Sequence, residues 1–167
     1  VRQRYVQHAA AFHVQAEKFF AAVKQGDEKN IRREFINTRI AYKKIELYAE
    51  YWFSFYAGKF NGPPIDYFEE AEPDMPVQHP SGLQLIESYI YPVIDQKKKK
   101  QLLFQASELK RYAEELPKVN ESFAFSRSNI FDAVMEELYR LTALGMAGFD
   151  SQLALNSIAE CSSALTT

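Results

Sequence analysis

The chain has 167 residues, a formal net charge of -2, and 47% apolar and 14% aromatic side chains. That length supports one domain with a substantial core and is too short to expect two, the composition excludes a low-complexity chain, and the charge gives no electrostatic reason to expect nucleic acid. Cys161 is the only cysteine, so neither an intrachain disulfide nor a Cys-x-x-Cys-His haem attachment site exists, and no window approaches the roughly 20 apolar residues of a membrane span.

Tyr5, Ala9, Phe12, Ala16, Phe19 and Val23 alternate four and three apart, which predicts a first helix to about Gln25. Gly26 suits a left-handed cap and Asp27 can cap the next helix, so the first two helices should be antiparallel neighbours. His8 and His13 are five apart, off-phase for a shared metal and better suited to boundary or surface positions.

The second helix is expected over residues 28–57, with Ile31, Phe35, Tyr42, Ile45, Ala49, Trp52 and Tyr56 inward. Beside that stripe, Arg39, Tyr42, Lys43 and Glu46 occur at helical spacings. They read equally as a surface ion-pair ladder or as a functional face. Asn61-Gly62-Pro63-Pro64 stops the helix, and residues 65–79, with Glu69, Glu70, Glu72 and Asp74, read as an acidic crossover loop. His79 reads as a loop histidine next to the following helix start.

Ser81 is a good N-cap, and Gln84 can reach back to close a capping box, so a third helix should begin at Gly82. On it Gln84 and Glu87 lie side by side next to an apolar stripe of Leu83, Ile86 and Ile90. Pro92 ends or kinks it. Lys97 to Lys100, the only basic run, read as a solvated helix end or turn and carry no assigned function. The fourth helix, over residues 96–116, turns Leu102, Ala106, Leu109, Ala113 and Leu116 inward and closes at Pro117. Ser128 is a plausible cap for a fifth helix to about Met146, with Phe131, Val134, Leu138 and Leu141 inward. Asp150 or Ser151 should open a last helix containing Leu155, Ile158 and Leu165, and Cys161 reads as a small buried side chain. The fold class is all-α, a mainly antiparallel bundle of about five to six helices forming a single domain over residues 1–167.

Three stretches in order carry a family resemblance: Arg39-Ile40-Ala41-Tyr42-Lys43-Lys44-Ile45-Glu46, then Asn61-Gly62-Pro63, then Pro80-Ser81-Gly82-Leu83-Gln84-Leu85-Ile86-Glu87. The last resembles the Gly-x-His-x-x-Glu signature of the imelysin family, with Gln84 in place of histidine. Together with Leu144-Gly145-Met146-Ala147-Gly148-Phe149-Asp150, the set looks like the imelysin-type domain found ahead of the haem modules of some bacterial di-haem cytochrome c peroxidase-like proteins.

The resemblance implies an exported, envelope-associated helical domain, periplasmic in setting. It places a ligand-binding pocket among Arg39, Tyr42, Lys43, Glu46, Gly82, Gln84 and Glu87, with no catalytic and no metal-ligating residue. Known imelysins are linked to iron uptake and were classed as metallopeptidases, but Gln84 is a weak neutral donor where imidazole would stand, so a transition metal is not expected there. No cofactor is expected in this chain, and haem c would belong to haem-peroxidase domains of a parent protein, which are the expected partners alongside an unknown small ligand. The chain starts at Val1 rather than methionine, consistent with a fragment of a longer exported protein. The alternative is a stand-alone imelysin-like protein with a ligand or hydrolytic role of its own.

Overall fold

The computed structural model describes residues 1–68, 77–119 and 125–167, so the acidic stretch with Glu69, Glu70, Glu72 and Asp74 lies outside the described residues. Within them are seven α-helices: α1 (Arg2–Gln25), α2 (Glu28–Trp52), α3 (Ser54–Phe60), α4 (Gly82–Ile90), α5 (Lys99–Val119), α6 (Arg127–Arg140) and α7 (Ser157–Ala164). One isolated antiparallel bridge joins Tyr67 to Gln78. No described helix is long and apolar enough to cross a membrane.

The three-four spacing of α1 buries the side chains it predicted, from Tyr5 through Val23. Gly26 takes the left-handed cap at φ 86°, and Asp27 accepts the first-turn N–H of Lys29 at 3.1 Å, which opens α2 after a two-residue turn. Ring pairs record the antiparallel packing: Tyr5 meets Tyr48 at 5.3 Å, Phe12 meets Tyr42 at 5.8 Å, and Phe19 meets Phe35 at 5.8 Å. On the other side of α1, the Tyr5 hydroxyl donates to the Leu116 carbonyl at 2.8 Å and Lys110 lies over the Phe20 ring, so α5 is also antiparallel to α1. Its predicted stripe, Leu102 to Leu116, is buried. Aromatic pairs of this kind give directional contacts beyond their buried area.

The second half of the molecule departs from the sequence reading. The expected helix over residues 28–57 is two, because Phe53 leaves helical geometry (φ -132°, ψ 47°) and turns its ring onto Tyr5 at 5.4 Å. The described residues form an all-α bundle, as expected, with seven α-helices rather than five to six. A 3-10 turn, Gln96–Lys98, precedes α5, and α5 runs past Pro117 to Val119. The cap of α6 is Ser126, not Ser128, and its Oγ accepts the Asn129 N–H at 3.1 Å.

The apolar residues assigned inward on the last two helices face out. Phe131 is 67% exposed, and Val134 and Leu138 are exposed as well, while α6 buries Ala133 and Glu137. Leu155, Ile158 and Leu165 are likewise exposed, and α7, which starts at Ser157 rather than at Asp150 or Ser151, buries Ser157, Glu160, Cys161, Ser163 and Ala164. The reason is that these two helices pack on a charged face of α2, where carboxylates and small side chains fit and bulky apolar ones do not. Leu141 is buried as expected. It lies in a π-helical turn, Leu141–Gly145, where a Cβ on Gly145 would stand 2.6 Å from Cys161 Sγ.

At the start of α4, Gly82 has φ 63°, and a Cβ there would come within 2.4 Å of the Phe60 carbonyl oxygen. Left-handed strain of about 1–2 kcal/mol and an overpacking cost of about 1–3 kcal/mol should add. Gly82→Ala is expected to lower the unfolding free energy by about 2–5 kcal/mol in urea titration, whereas Gly58→Ala, which meets nothing within 4 Å, should leave it unchanged or slightly higher.

Candidate functional site

Where α2, α4, α6 and α7 meet, a set of charged side chains lies in the interior. Arg39, Lys43, Glu46, Glu87, Asp150 and Glu160 are each at most 4% exposed. The ladder written on α2 is therefore not a solvated surface. Arg39 donates Nε to Glu160 Oε1 at 2.6 Å and Nη2 to Glu160 Oε2 at 2.8 Å, a bidentate pair. The same Nη2 also donates to the Asp150 carbonyl. One turn on, Lys43 Nζ donates to both oxygens of Glu46 at 2.7 and 2.8 Å and to Asp150 Oδ2 at 2.7 Å. Burial alone would lower the Lys43 pKa, but contact with Glu46 and Asp150 overcomes it and holds the ammonium above its ordinary value.

Around this pair of cations the fold adds a third, Arg140 at the end of α6, whose Nη2 lies 3.0 Å from Glu50 and 3.6 Å from Glu46. The Tyr42 hydroxyl donates to Glu50 at 3.1 Å, and its ring packs on Phe12 and Phe60. Carboxylates outnumber cations here, and the surplus falls on Glu137. Neither Glu137 oxygen receives a hydrogen bond from a nitrogen or hydroxyl. Burial, then the neighbouring Glu46 carboxylate, push its pKa up to about 8. Both effects favour the neutral acid of Glu137 over its carboxylate.

The Gly82-x-Gln84-x-x-Glu87 stretch is spent on backbone. Ser81 stands at the N-cap position of α4, which starts at Gly82 as expected, but its side chain caps no N–H: its Oγ donates instead to the Gly58 carbonyl at 3.1 Å. Gln84 does not close a capping box either; its Nε2 donates to the Asp150 carbonyl at 3.2 Å. Glu87 Oε1 accepts the N–H groups of Leu153 and Ala154 at 3.3 and 2.7 Å. Gly82 lets the start of α4 pass against the Phe60 carbonyl, and Gln84 and Glu87 then hold the segment between the π-helical turn and α7. In this arrangement Glu87 Oε1 serves two amides and Gln84 Nε2 faces a carbonyl. Among the described residues, no group of three or more His, Cys, Asp and Glu is arranged to hold an ion. His79 pairs with Asp66 on the surface at 2.9 Å, and His13 lies 3.7 Å from Glu17.

Beside the network lies an open cleft of about 540 Å³, with Pro63, Tyr67 and Phe149 on its apolar wall and Gln84, Arg140 and Asp150 on its polar one. Of the seven residues singled out in the sequence, only Gln84 lines it. The others are buried and do not line it. Sequence reading missed Glu160, Glu137 and Arg140 and took Asp150 only for a helix start. The signal was present in α7, where Ser157, Glu160, Cys161 and Ala164 repeat at three-four spacing with no bulky side chain.

Removing one partner of a buried pair strands the other charge, so Arg39→Ala and Glu46→Ala are each expected to cost about 3–5 kcal/mol in denaturant titration. Arg111→Ala, in an exposed ladder with Glu108 and Glu115, should cost under about 1 kcal/mol. The raised Glu137 pKa gives a pH signature as well. The folded state binds this proton more tightly than the unfolded one, so the contribution is full below the unfolded glutamate pKa and is lost as pH rises through about 8. The urea midpoint of the wild-type protein should fall between pH 5 and pH 9, and Glu137→Gln should flatten that fall.

Comparison with protein families matches residues 3–80 to the family described as imelysin. The matched stretch contains α1 to α3, the Arg39 to Glu46 face and Asn61-Gly62-Pro63, and it stops two residues before Gly82. Comparison with curated proteins returns no match. Over residues 3–80 the chain is imelysin-like, and the described residues that follow continue the helical architecture.

Proposed function

We propose that this chain is a non-catalytic accessory domain of the bacterial envelope, the N-terminal helical module of a di-haem cytochrome c peroxidase-like protein whose haem c groups lie in other domains. The observation that carries the non-catalytic half is the internal pairing of the residues singled out in the sequence. Arg39, Lys43, Glu46, Gln84 and Glu87 are committed to one another, to Asp150 and Glu160, and to backbone amides and carbonyls. A general base or nucleophile must reach the substrate atom it acts on, and these side chains are buried. The accessory half is supported by the outward side chains of α6, where Phe131, Met135, Leu138 and Tyr139 are all exposed. An exposed apolar helix face of this kind suits docking against a neighbouring domain. The peroxidase parent and the periplasmic setting rest on the motif resemblance.

A second reading is a stand-alone imelysin-like protein in iron uptake, favoured by the cleft, whose volume of about 540 Å³ falls within the range of small-ligand sites. A degenerate metallopeptidase has less support, because Gln84, a weak neutral donor, stands where the signature histidine would be.

The coding frame beyond Thr167 separates the two readings: Cys-x-x-Cys-His motifs are expected there, and a frame without any overturns the peroxidase assignment. Within a full-length protein, Phe131→Ser with Tyr139→Ser should leave the helical domain's own stability within about 0.5 kcal/mol and loosen its contact with the haem domains. Faster proteolytic release of the helical domain would show that loss, and unchanged release would contradict the docking role of α6.

A further inference from the structure

The cleft beside the buried network combines open apolar surface with polar atoms that lack partners. On its apolar side Phe149 is 50% exposed and Ile65 is 73% exposed, so the carbon skeleton of a ligand would meet uncovered side chains. On its polar side Gln84 is only 7% exposed. The Asp150 carbonyl can only accept, so it fixes Gln84 Nε2 toward itself at 3.2 Å and turns Oε1 the other way. Among the described residues Gln84 Oε1 has no hydrogen-bond partner, and it is not sealed off from the surface. Asn61, also in the lining, has a buried Oδ1 without a partner. Both unmatched atoms are acceptors, so the group they lack is a donor.

Charge decides what kind of donor. Arg140 and Asp150 belong to the lining as well as to the network, so the network's balance is felt in the cleft. Its three cations, Arg39, Lys43 and Arg140, pair with four carboxylates, Glu46, Glu50, Asp150 and Glu160. Glu87, which accepts only neutral amides, adds a fifth. The excess is negative even with Glu137 counted as neutral. Asp66 puts a further, exposed carboxylate in the lining. Arg140 is the only cation among the lining residues, and its Nη2 already lies 3.0 Å from Glu50 and 3.6 Å from Glu46. An anionic ligand at Arg140 would bring a third carboxylate beside those two. A cation near Gln84 would instead meet net negative charge.

We propose that this cleft binds a small primary ammonium with an aromatic or apolar body, its N–H groups donating to Gln84 Oε1 and its body resting against Phe149 and Pro63. A neutral apolar molecule would displace water from the Gln84 oxygen without replacing its hydrogen bond. A quaternary ammonium would bring the charge but no donor. The proposal rests on the cleft being a ligand site, as in the second reading above, and is independent of a peroxidase parent.

The test is an NMR titration of the purified chain with 2-phenylethylammonium, read at the side-chain amide signals of Gln84 and Asn61. Saturable shifts at both are expected, with 2-phenylethanol, phenylacetate and (2-phenylethyl)trimethylammonium each about tenfold weaker. Gln152 lines the cleft and is exposed, so a charge placed there changes the field with little effect on packing. Gln152→Lys should weaken 2-phenylethylammonium about threefold and strengthen phenylacetate, and Gln152→Glu should do the reverse. Phe149→Ala should weaken every probe, and Lys118→Glu, at the end of α5, should change none. Circular dichroism of each variant confirms that the helices remain. Phenylacetate or the trimethylammonium binding as tightly as 2-phenylethylammonium, or no response to either Gln152 substitution, would overturn the primary-ammonium assignment while leaving the cleft a ligand site. No saturable shift with any of the four probes would overturn the assignment and the cleft's role as a ligand site together, whereas the peroxidase parent is decided separately by the coding frame.

Discussion

The bidentate pair of Arg39 and Glu160 is the contact on which the second half of the molecule depends. It joins residues 121 positions apart, and Arg39 reaches the Asp150 carbonyl with the same guanidinium. Beyond it, Ser163 donates to the Ile40 carbonyl at 2.9 Å and Thr167 lies near the Lys44 carbonyl, so α7 runs parallel to α2. Arg140 of α6 reaches Glu46 and Glu50 on the same helix. One helix thus presents an aromatic and aliphatic face to α1 and a charged face to α6 and α7.

The two faces do different work. Burial of Tyr5, Phe12, Phe19, Phe35 and Phe60 supplies the non-directional stabilisation of the bundle, at roughly 25 cal/mol for each Å² of apolar surface. A buried ion pair adds little net stability over an apolar replacement, because desolvation offsets the attraction. What the charged face adds is selectivity of seating. Asp150 and Glu160 are matched to Lys43 and Arg39, and an alternative seating of α7 would strand those cations in the interior. The Gly82, Gln84 and Glu87 stretch extends the same logic to backbone, with Glu87 holding two amides of the segment that leads into α7.

The first half of this fold was legible in the sequence because its inward residues are the bulky apolar ones, so a period near 3.6 marks the core directly. Gly26 and Asp27 placed the turn correctly for the same reason, since each residue type has a local task there. The break at Phe53 had no such mark: no glycine or proline stands at that point, and the ring turns inward to meet Tyr5 across the bundle. On α6 and α7 the usual assumption inverts. Glu137, Ser157, Glu160 and Ser163 go in while Phe131, Leu155 and Ile158 go out, and nothing local to those helices shows that the face they meet is charged. The α2 motif was visible as a pattern, but its partners Asp150 and Glu160 lie more than 100 positions away. Gln84 was read as a local capping partner because the sequence supplies Ser81 at the right spacing; the fold gives Ser81 to Gly58 and Gln84 to Asp150.

The central claim is that the Gly-x-Gln-x-x-Glu stretch acts as a latch on the segment before α7. Native-state hydrogen exchange at the Leu153 and Ala154 amides, compared between the wild-type protein and Glu87→Ala, tests it most directly. The account predicts protected amides in the wild-type protein and exchange faster by roughly 10–100-fold in the variant, the loss of a charge-assisted hydrogen bond worth about 1.5–3 kcal/mol, while amides of α1 and α5 keep their protection. Fast exchange at both positions in the wild-type protein, or equal protection with and without the Glu87 carboxylate, would contradict it.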